Sequence, residues 1–134
     1  MLGTFRQSHL RIEVEANEQT IRDSLLQVEN LSKWMIFANF SGILSEKLQI
    51  CDTFTTSLGI INIAHEVQTA DNNCLRLLLS KGIDGYHEWY WGDGWVQSRL
   101  EGISLLPLNL GQTFSLMRLR QFLASKTNSV KQEA

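Results

Sequence analysis

The sequence predicts a single α+β domain with an antiparallel sheet. Apolar and polar residues alternate at 9–16 and again through most of 43–106, which is typical of half-buried strands. Helical spacing occurs at 17–35 and at 112–125. Turn-forming residues, not helices, separate the strands after Gly42, so consecutive strands are expected to pair antiparallel.

The first elements are predicted as a strand and two short helices. The strand covers residues 9–16, with its apolar side chains on one face. Asn17 then caps a helix whose apolar stripe recurs at residues 21, 25 and 28. A second short helix is predicted at residues 30–35, ending near Trp34.

Six further strands and a closing helix are predicted for the rest of the domain. The strands cover residues 43–51, 53–57, 60–69, 74–80, 86–92 and 95–106. Pro107 closes the last strand, where a backbone N–H is no longer needed for pairing. The helix follows at residues 112–125. The domain is therefore expected at residues 1–126, with a disordered tail at 127–134.

The hairpin in the stretch HEWYWGDGWVQ holds three of the four tryptophans. Its Asp93-Gly94 dipeptide favours a two-residue type I′ turn, which pairs Trp91 with Val96. A three-residue loop would pair Trp91 with Trp95 instead. We predict the two-residue turn because it sets Glu88 opposite Arg99, a favourable cross-strand pair of charges. One face of the hairpin then carries His87, Trp89, Trp91, Val96, Ser98, Leu100, Gly102 and Ser104.

This face combines large rings with small side chains. Ser98, Gly102 and Ser104 leave space where a close-packed core would have Leu or Ile. The C-terminal helix could fill that space, or a ligand could occupy it. Equally, Trp89 and Trp91 could simply pack the core, because buried rings contribute a large apolar area whether or not a ligand binds.

Composition excludes several classes of partner. Twelve basic and 14 acidic residues give a formal charge of -2 without a basic cluster, so a nucleic-acid partner is not expected. No apolar run reaches the roughly 20 residues of a membrane span, so stable membrane insertion is not expected either. Two cysteines and an opening without a signal-like apolar run predict a cytoplasmic protein. Histidines and cysteines occur singly, so no metal site is predicted, and no motif calls for a cofactor.

Four segments resemble the START-like (SRPBCC) superfamily, which includes polyketide cyclase/dehydrase-like proteins, birch-pollen-allergen-type lipid carriers and coenzyme Q-binding proteins. They are LRIEVEAN before a helix, NLSKW ending in Trp34, EGISLLPLN at the end of the last strand, and LMRLRQFL. The resemblance covers roughly residues 8–126. It implies a helix-grip fold, in which a curved antiparallel sheet of about six to seven strands wraps around a long C-terminal helix. It also implies an apolar cavity suited to a lipid, sterol-like, isoprenoid or polyketide-derived molecule.

Two departures accompany the resemblance. In the superfamily a proline often follows the tryptophan that corresponds to Trp34, but this sequence has none there. The predicted closing helix is also short for this fold, so a small cavity is expected. None of the catalytic residues of aromatase or cyclase members can be matched in this sequence. Catalysis would depend on His65 or His87, each on an apolar strand face, although a buried histidine is more often structural.

Three functions remain open. The first is a carrier or sensor that binds a hydrophobic small molecule in a pocket of a few hundred cubic ångströms. The second is a cyclase or dehydratase-type enzyme that uses a cavity histidine. The third is a protein-interaction module with a vestigial cavity, whose outer face of Tyr86, Tyr90 and Trp95 docks another chain or forms a homodimer. For the first function the predicted ligand-binding residues are Trp34, His87, Trp89, Trp91, Ser98, Leu100, Ser104 and Leu116.

Overall fold

The computed structural model describes residues 3–35, 37–104 and 107–133. Its strands are β1 (Thr4–Glu13), β2 (Ala38–Asn39), β3 (Thr53–Leu58), β4 (Ile61–Ala70), β5 (Cys74–Lys81), β6 (Asp84–Gly92) and β7 (Trp95–Ser104). Its helices are α1 (Glu18–Leu26), α2 (Val28–Trp34) and α3 (Leu108–Glu133).

All seven strands form one antiparallel sheet in the order β1-β7-β6-β5-β4-β3-β2. The first strand therefore pairs with the last, while the strands between them follow one another as a meander. An irregularity in register between Val67 and Thr69 bends β4. With α3 against this curved sheet and α1 and α2 after β1, the predicted α+β helix-grip fold is confirmed.

The tryptophan hairpin has the predicted two-residue turn. Gly92 pairs with Trp95 and Trp91 with Val96, which excludes the three-residue loop. Gly94 adopts a φ of 80°, which glycine adopts without strain, but Asp93 does not have the positive φ that a type I′ turn also requires, so the predicted turn length is right and the predicted turn type is wrong. Trp89 and Trp91 consequently both point to the inner face, where each is 1% exposed.

The predicted strand at residues 43–51 is wrong. These residues form a loop that is attached to the helices by one isolated bridge, between Gln27 and Lys47. Only Leu48 of its alternating apolar residues is buried, whereas Leu44 and Ile50 are exposed. Cys51 adopts a φ of 75°, which strand geometry does not allow. The alternation therefore resembles that of a strand although the backbone has no partner strand.

The closing helix is longer than predicted. It begins at Leu108, directly after Pro107, and continues to Glu133, so the expectation of a short helix is also wrong. Lys, Gln and Glu near its end favour helix, and the hydroxyl of Thr127 donates to the carbonyl of Glu15 at 2.5 Å. The domain boundary at residue 126 stays a prediction, although the helix crosses it. The predicted end of the last strand, at residues 105–106, lies outside the described residues.

The two short helices are attached to the sheet and to each other by specific contacts. Asn17 caps α1 as predicted, since its side chain accepts a hydrogen bond from the backbone N–H of Thr20 at 2.9 Å. Trp34, at the end of α2, is buried and donates its indole N–H to the carbonyl of Ser24 at 2.8 Å. This bond ties α2 to α1 and holds the Trp34 ring against the inner face of the sheet.

Glu88 and Arg99 lie opposite each other on the outer face, as predicted, but they do not form an ion pair. Glu88 instead pairs with Arg76 at 2.9 Å, and Arg99 pairs with Glu101 at 2.7 Å. Both carboxylates are also less exposed than a surface pair would be, at 5% for Glu88 and 7% for Glu101.

Candidate functional site

A cavity of about 170 Å³ lies between the inner face of the sheet and α3. It is smaller than the roughly 300–1,000 Å³ of most ligand pockets, in line with the expectation of a small cavity. Most of its walls are apolar. The lining residues are Trp34, Met35, Phe37, Thr56, Ser57, Ile63, His65, Leu77, Leu79, Ile83, His87, Trp89, Leu100, Pro107, Leu108, Gly111, Gln112, Phe114, Ser115 and Arg118.

The helix α3 contributes small residues where it faces the cavity. Gly111 and Ser115 are one turn apart on the same helix face, and both line the cavity. A Cβ atom at Gly111 would have no heavy atom within 4 Å. Gly111 is exposed and Ser115 is half-buried, so the two residues lie towards the rim of the cavity, where a larger side chain at Gly111 would meet no neighbour.

His65 lies on the inner face of β4 and is 8% exposed. Its Nε2 forms a hydrogen bond with Oγ1 of Thr56 at 2.9 Å, and its ring stacks on Phe54 with centroids 4.5 Å apart. Nδ1 is buried without a hydrogen-bond partner among the described residues. Burial lowers the pKa of His65 from 6.5 to about 4, so the ring is neutral at neutral pH.

His87 lies on β6 and takes part in a polar chain that crosses the cavity wall. Its Nε2 is 2.6 Å from Oγ of Ser98, and this hydroxyl also accepts a hydrogen bond from the Gln112 amide at 2.9 Å. The same amide nitrogen donates to the carbonyls of Ser98 and Ser8. Gln112 therefore ties α3 to both β7 and β1.

The environment of His87 also keeps it neutral. Burial lowers the pKa of His87 from 6.5 to about 3, and the nearby His65 ring contributes to the shift. The ring packs against Trp89 with centroids 4.6 Å apart. Two neutral imidazoles thus line one cavity, and neutral imidazole can accept or donate a proton.

Three polar atoms of lining residues are buried without a hydrogen-bond partner among the described residues. They are Nδ1 of His65, Nε1 of Trp89 and Oε1 of Gln112. Leaving a buried polar atom unpaired costs about 1–3 kcal/mol. A molecule in the cavity that paired with one of them would recover part of that cost.

Arg118 is the cationic residue of the lining. It is half-buried, and its Nε donates to the carbonyl of Trp34 at 3.3 Å. Trp34 is the last residue of α2, so this carbonyl carries the partial negative charge of a helix C-terminus. The exposed rings of Phe37 and Phe114 also line the cavity.

Half of the predicted ligand-binding residues line this cavity. Trp34, His87, Trp89 and Leu100 do, as does the predicted catalytic candidate His65. Trp91, Ser98, Ser104 and Leu116 are buried but are not among its lining residues. Whether any of these residues binds a ligand stays a prediction.

The remaining predicted residues have other surroundings. Trp91 has its indole N–H buried without a partner among the described residues, and Ser98 is engaged in the polar chain described above. Ser104 donates a hydrogen bond to the carbonyl of Gly82 at 3.3 Å. Leu116 lies within the hydrophobic core.

Two polar residues of the cavity lining, Gln112 and Arg118, are not among the residues predicted from the sequence. Both belong to α3, which was predicted from its leucine stripe alone. A polar residue on the face of a helix that packs against a sheet is the signal that could have identified Gln112. Arg118 carried no such signal, because its role depends on the end of α2.

Two further classes of site are absent from the described residues. No group of three His, Cys, Asp or Glu side chains there is arranged to hold a metal ion. None of the helices described is long and apolar enough to cross a membrane.

Both cysteines are free, Cys51 on the surface and Cys74 partly buried.

The fold and the cavity define a helix-grip protein with a partly open, mostly apolar cavity between the sheet and α3. Neither a family model nor a curated protein matches the sequence. Solved structures do match the fold. DynU16, from the dynemicin biosynthetic locus, has a TM-score of 0.66 at 14% identity; the match covers 90% of this chain and 48% of DynU16.

Two other solved structures match over nearly their full length. The Aha1 dimer from Colwellia psychrerythraea has a TM-score of 0.64 at 13% identity, covering 88% of this chain and 96% of that one. Truncated norcoclaurine synthase from Thalictrum flavum has a TM-score of 0.63 at 11% identity, covering 90% and 94%. Similarity to these structures supports the helix-grip fold.

Proposed function

We propose that this protein binds a lipophilic small molecule in the cavity between the sheet and α3, as a carrier or sensor. The observation that carries the proposal is the cavity itself, an apolar space with a few unpaired polar atoms in its wall. Binding sites for small molecules commonly combine apolar walls with a few polar groups that set the orientation of the ligand. A lipid, isoprenoid or polyketide-like molecule has the matching chemistry.

The small volume restricts the ligand. A cavity of about 170 Å³ accommodates a compact ring system or a short chain, and a longer molecule would extend past Phe37 or Phe114. The edge-to-face pair of Trp34 and Trp89, with centroids 6.0 Å apart, forms one wall. Both rings are 1% exposed, so this wall is part of the packed core.

The test is native mass spectrometry of the protein purified from its own cells, followed by solvent extraction of any molecule that co-purifies. We expect a stoichiometric adduct of a few hundred daltons on the wild type. Gly111→Leu should abolish the adduct, because its side chain extends into open space at the cavity wall.

A matched control is Gly42→Leu. A Cβ atom at Gly42 would likewise have no heavy atom within 4 Å, but Gly42 does not line the cavity. Its substitution should leave the adduct in place. An adduct that survives Gly111→Leu, or a bare mass for wild type after exposure to lipids and polyketide-like molecules, would contradict ligand binding in this cavity.

A second candidate function is an enzyme of cyclase or dehydratase type. It is favoured by one observation, that His65 and His87 line the same cavity and are both neutral. One ring could accept a proton from a bound molecule while the other donates one.

The molecule recovered from the cells distinguishes the two functions. An enzyme with an inactivated histidine should retain its substrate, so the mass extracted from His65→Gln or His87→Gln would differ from the mass extracted from wild type. A carrier should yield the same molecule from all three proteins. Circular dichroism of each variant checks that the fold is intact.

Interaction with a protein partner is the third candidate. Tyr86, Tyr90 and Trp95 are half-buried, and Arg76 and Arg11 cover the rings of Tyr86 and Trp95, so this outer face is less accessible than the sequence suggested. A homodimer stays a prediction that sedimentation would test. Cytoplasmic location is likewise proposed, on the composition of the sequence.

A further inference from the structure

We propose that Arg118 is an anion-binding residue at the cavity, and that the ligand is therefore an amphipathic acid: an apolar body with one carboxylate or similar anionic group. This assignment rests on the proposed ligand binding and names the class of molecule bound. Three features of the described residues carry it: the anchoring of Arg118, its unused donors, and the absence of an acid on the cavity wall.

The first feature is the anchoring of the guanidinium. Arg118 Nε donates to the carbonyl of Trp34 at 3.3 Å, at the C-terminus of α2. Side chains of arginine often bind the last carbonyls of a helix, where the helix dipole is negative. Because Trp34 is itself fixed by its bond to Ser24, this contact holds the guanidinium beside the cavity.

The second feature is the set of donors that remains. Within the described part of the chain, the bond to Trp34 is the one hydrogen bond of the Arg118 side chain, and no acidic residue forms an ion pair with it. The two terminal nitrogens are therefore available to an external acceptor. Guanidinium binds carboxylate with two parallel hydrogen bonds, a geometry that a single neutral acceptor cannot match.

The third feature is the charge of the rest of the wall. No Asp or Glu is among the described lining residues, so no carboxylate of the protein competes for Arg118 there. His65 and His87 are neutral at neutral pH, because burial lowers the pKa of each ring. Arg118 is thus the permanent charge of this lining, and apolar walls strengthen the attraction between it and an anion.

The test compares two probes that differ only in charge. Naphthoate is a compact two-ring carboxylate, and naphthamide carries a neutral amide at the same ring position. Titration calorimetry of the full chain at low salt should show naphthoate binding about tenfold more tightly than naphthamide. Arg118→Gln should reduce the ratio of the two affinities to near one, because it weakens the binding of naphthoate alone. Arg118→Lys should retain part of the ratio.

Arg120→Gln is the matched control, because it removes the same charge from an exposed position of α3 that does not line the cavity. It should leave the ratio unchanged. Added salt should reduce the ratio in wild type through screening.

The possible failures are distinguishable. A ratio that persists in Arg118→Gln, or a wild type that binds both probes equally, would overturn the anion site and leave ligand binding standing. A wild type that binds neither probe overturns the assignment alone, because the cavity function is judged by native mass spectrometry. If the probes bind wild type and Gly111→Leu weakens neither, the proposed cavity function is overturned together with this assignment.

Discussion

Polar groups are buried on both faces of the sheet, but they differ in whether they have hydrogen-bond partners. On the outer face, Glu88 and Glu101 are 5% and 7% exposed, and each has several hydrogen-bond partners. On the inner face, His65 and Gln112 each keep one polar atom without a partner among the described residues. The outer face therefore pairs its buried polar groups within the protein, whereas the inner side of the sheet leaves some of them unpaired.

The outer face is a set of closed networks. Tyr90 and Arg76 both donate to Glu88, and Tyr86 and Arg99 both donate to Glu101. The hydrogen bond to Glu88 raises the pKa of Tyr90 to about 12, and the bond from Tyr86 lowers the pKa of Glu101. Satisfied carboxylates of this kind stabilise the strand pairs and leave little for a ligand to gain.

The inner face combines close packing with unused polar atoms. Trp89 is fully buried between Trp34 and His87, yet its indole N–H has no partner among the described residues. A core under selection for stability alone would pair or remove such atoms, since each one costs free energy. Among the described residues, the buried side-chain atoms without a partner thus lie on the inner side of the sheet: three belong to residues that line the cavity, and the fourth belongs to Trp91, which does not.

The largest expected effect contrasts one tryptophan from each face of the same hairpin. Trp89→Ala should lower the free energy of unfolding by about 3–5 kcal/mol, because it removes a fully buried ring and enlarges the cavity. Trp95→Ala should cost about 1–2 kcal/mol, since Trp95 is half-buried beneath Arg11 on the outer face. Urea unfolding of both variants measures the difference, and equal losses would contradict the contrast.

The next effect is the pH dependence of stability, which the inner histidines control. Their folded-state pKa values are lowered to about 4 and about 3 from 6.5, so in this window the unfolded chain binds protons that the folded chain excludes. Stability should be unaffected by these rings above pH 6.5 and should fall as the pH falls below it, by about 1 kcal/mol per pH unit for each ring.

Substitution isolates that contribution. His65→Gln and His87→Gln should each flatten the fall in stability between pH 6.5 and about pH 4, measured by urea unfolding at each pH. His9→Gln is the control, because His9 is a solvent-exposed ring on the outer face. If the slope is the same in all three variants, the inner rings do not exclude protons as proposed.

The smallest effect tests the outer network. Glu88→Gln should cost about 1 kcal/mol of stability and should lower the pKa of Tyr90 from about 12 towards 10, because the charged acceptor is lost. Tyr86 and Tyr90 are the chain's two tyrosines, so ultraviolet absorbance follows both. In Glu101→Gln the pKa of Tyr86 should fall instead. Because the charge of Glu88 also helps to raise the pKa of Tyr86, Glu88→Gln should lower the pKa of Tyr86 as well, but by less than that of Tyr90. An equal fall at both tyrosines would contradict the leading role of each hydrogen bond.

Local patterns predicted most of the fold. Alternation identified the five long strands from β3 to β7 but only part of β1, which was predicted at residues 9–16 and extends from Thr4 to Glu13. The Asp93-Gly94 turn predicted the register that sets Trp89 and Trp91 inward. These features depend on backbone periodicity and turn conformation, which involve only neighbouring residues. The same reasoning failed at residues 43–51, because alternation does not reveal whether a partner strand is available.

Local sequence patterns were enough to predict the class of fold, the order of its main elements and which hairpin residues face inward, since a strand directs alternate side chains to opposite faces. They could not predict which side chains share the cavity. His65 and His87 meet because β4 and β6 flank β5, and Gln112 and Arg118 join them because α3 packs across the sheet. Contacts between residues so far apart in the chain depend on tertiary packing, which cannot be predicted from local sequence patterns.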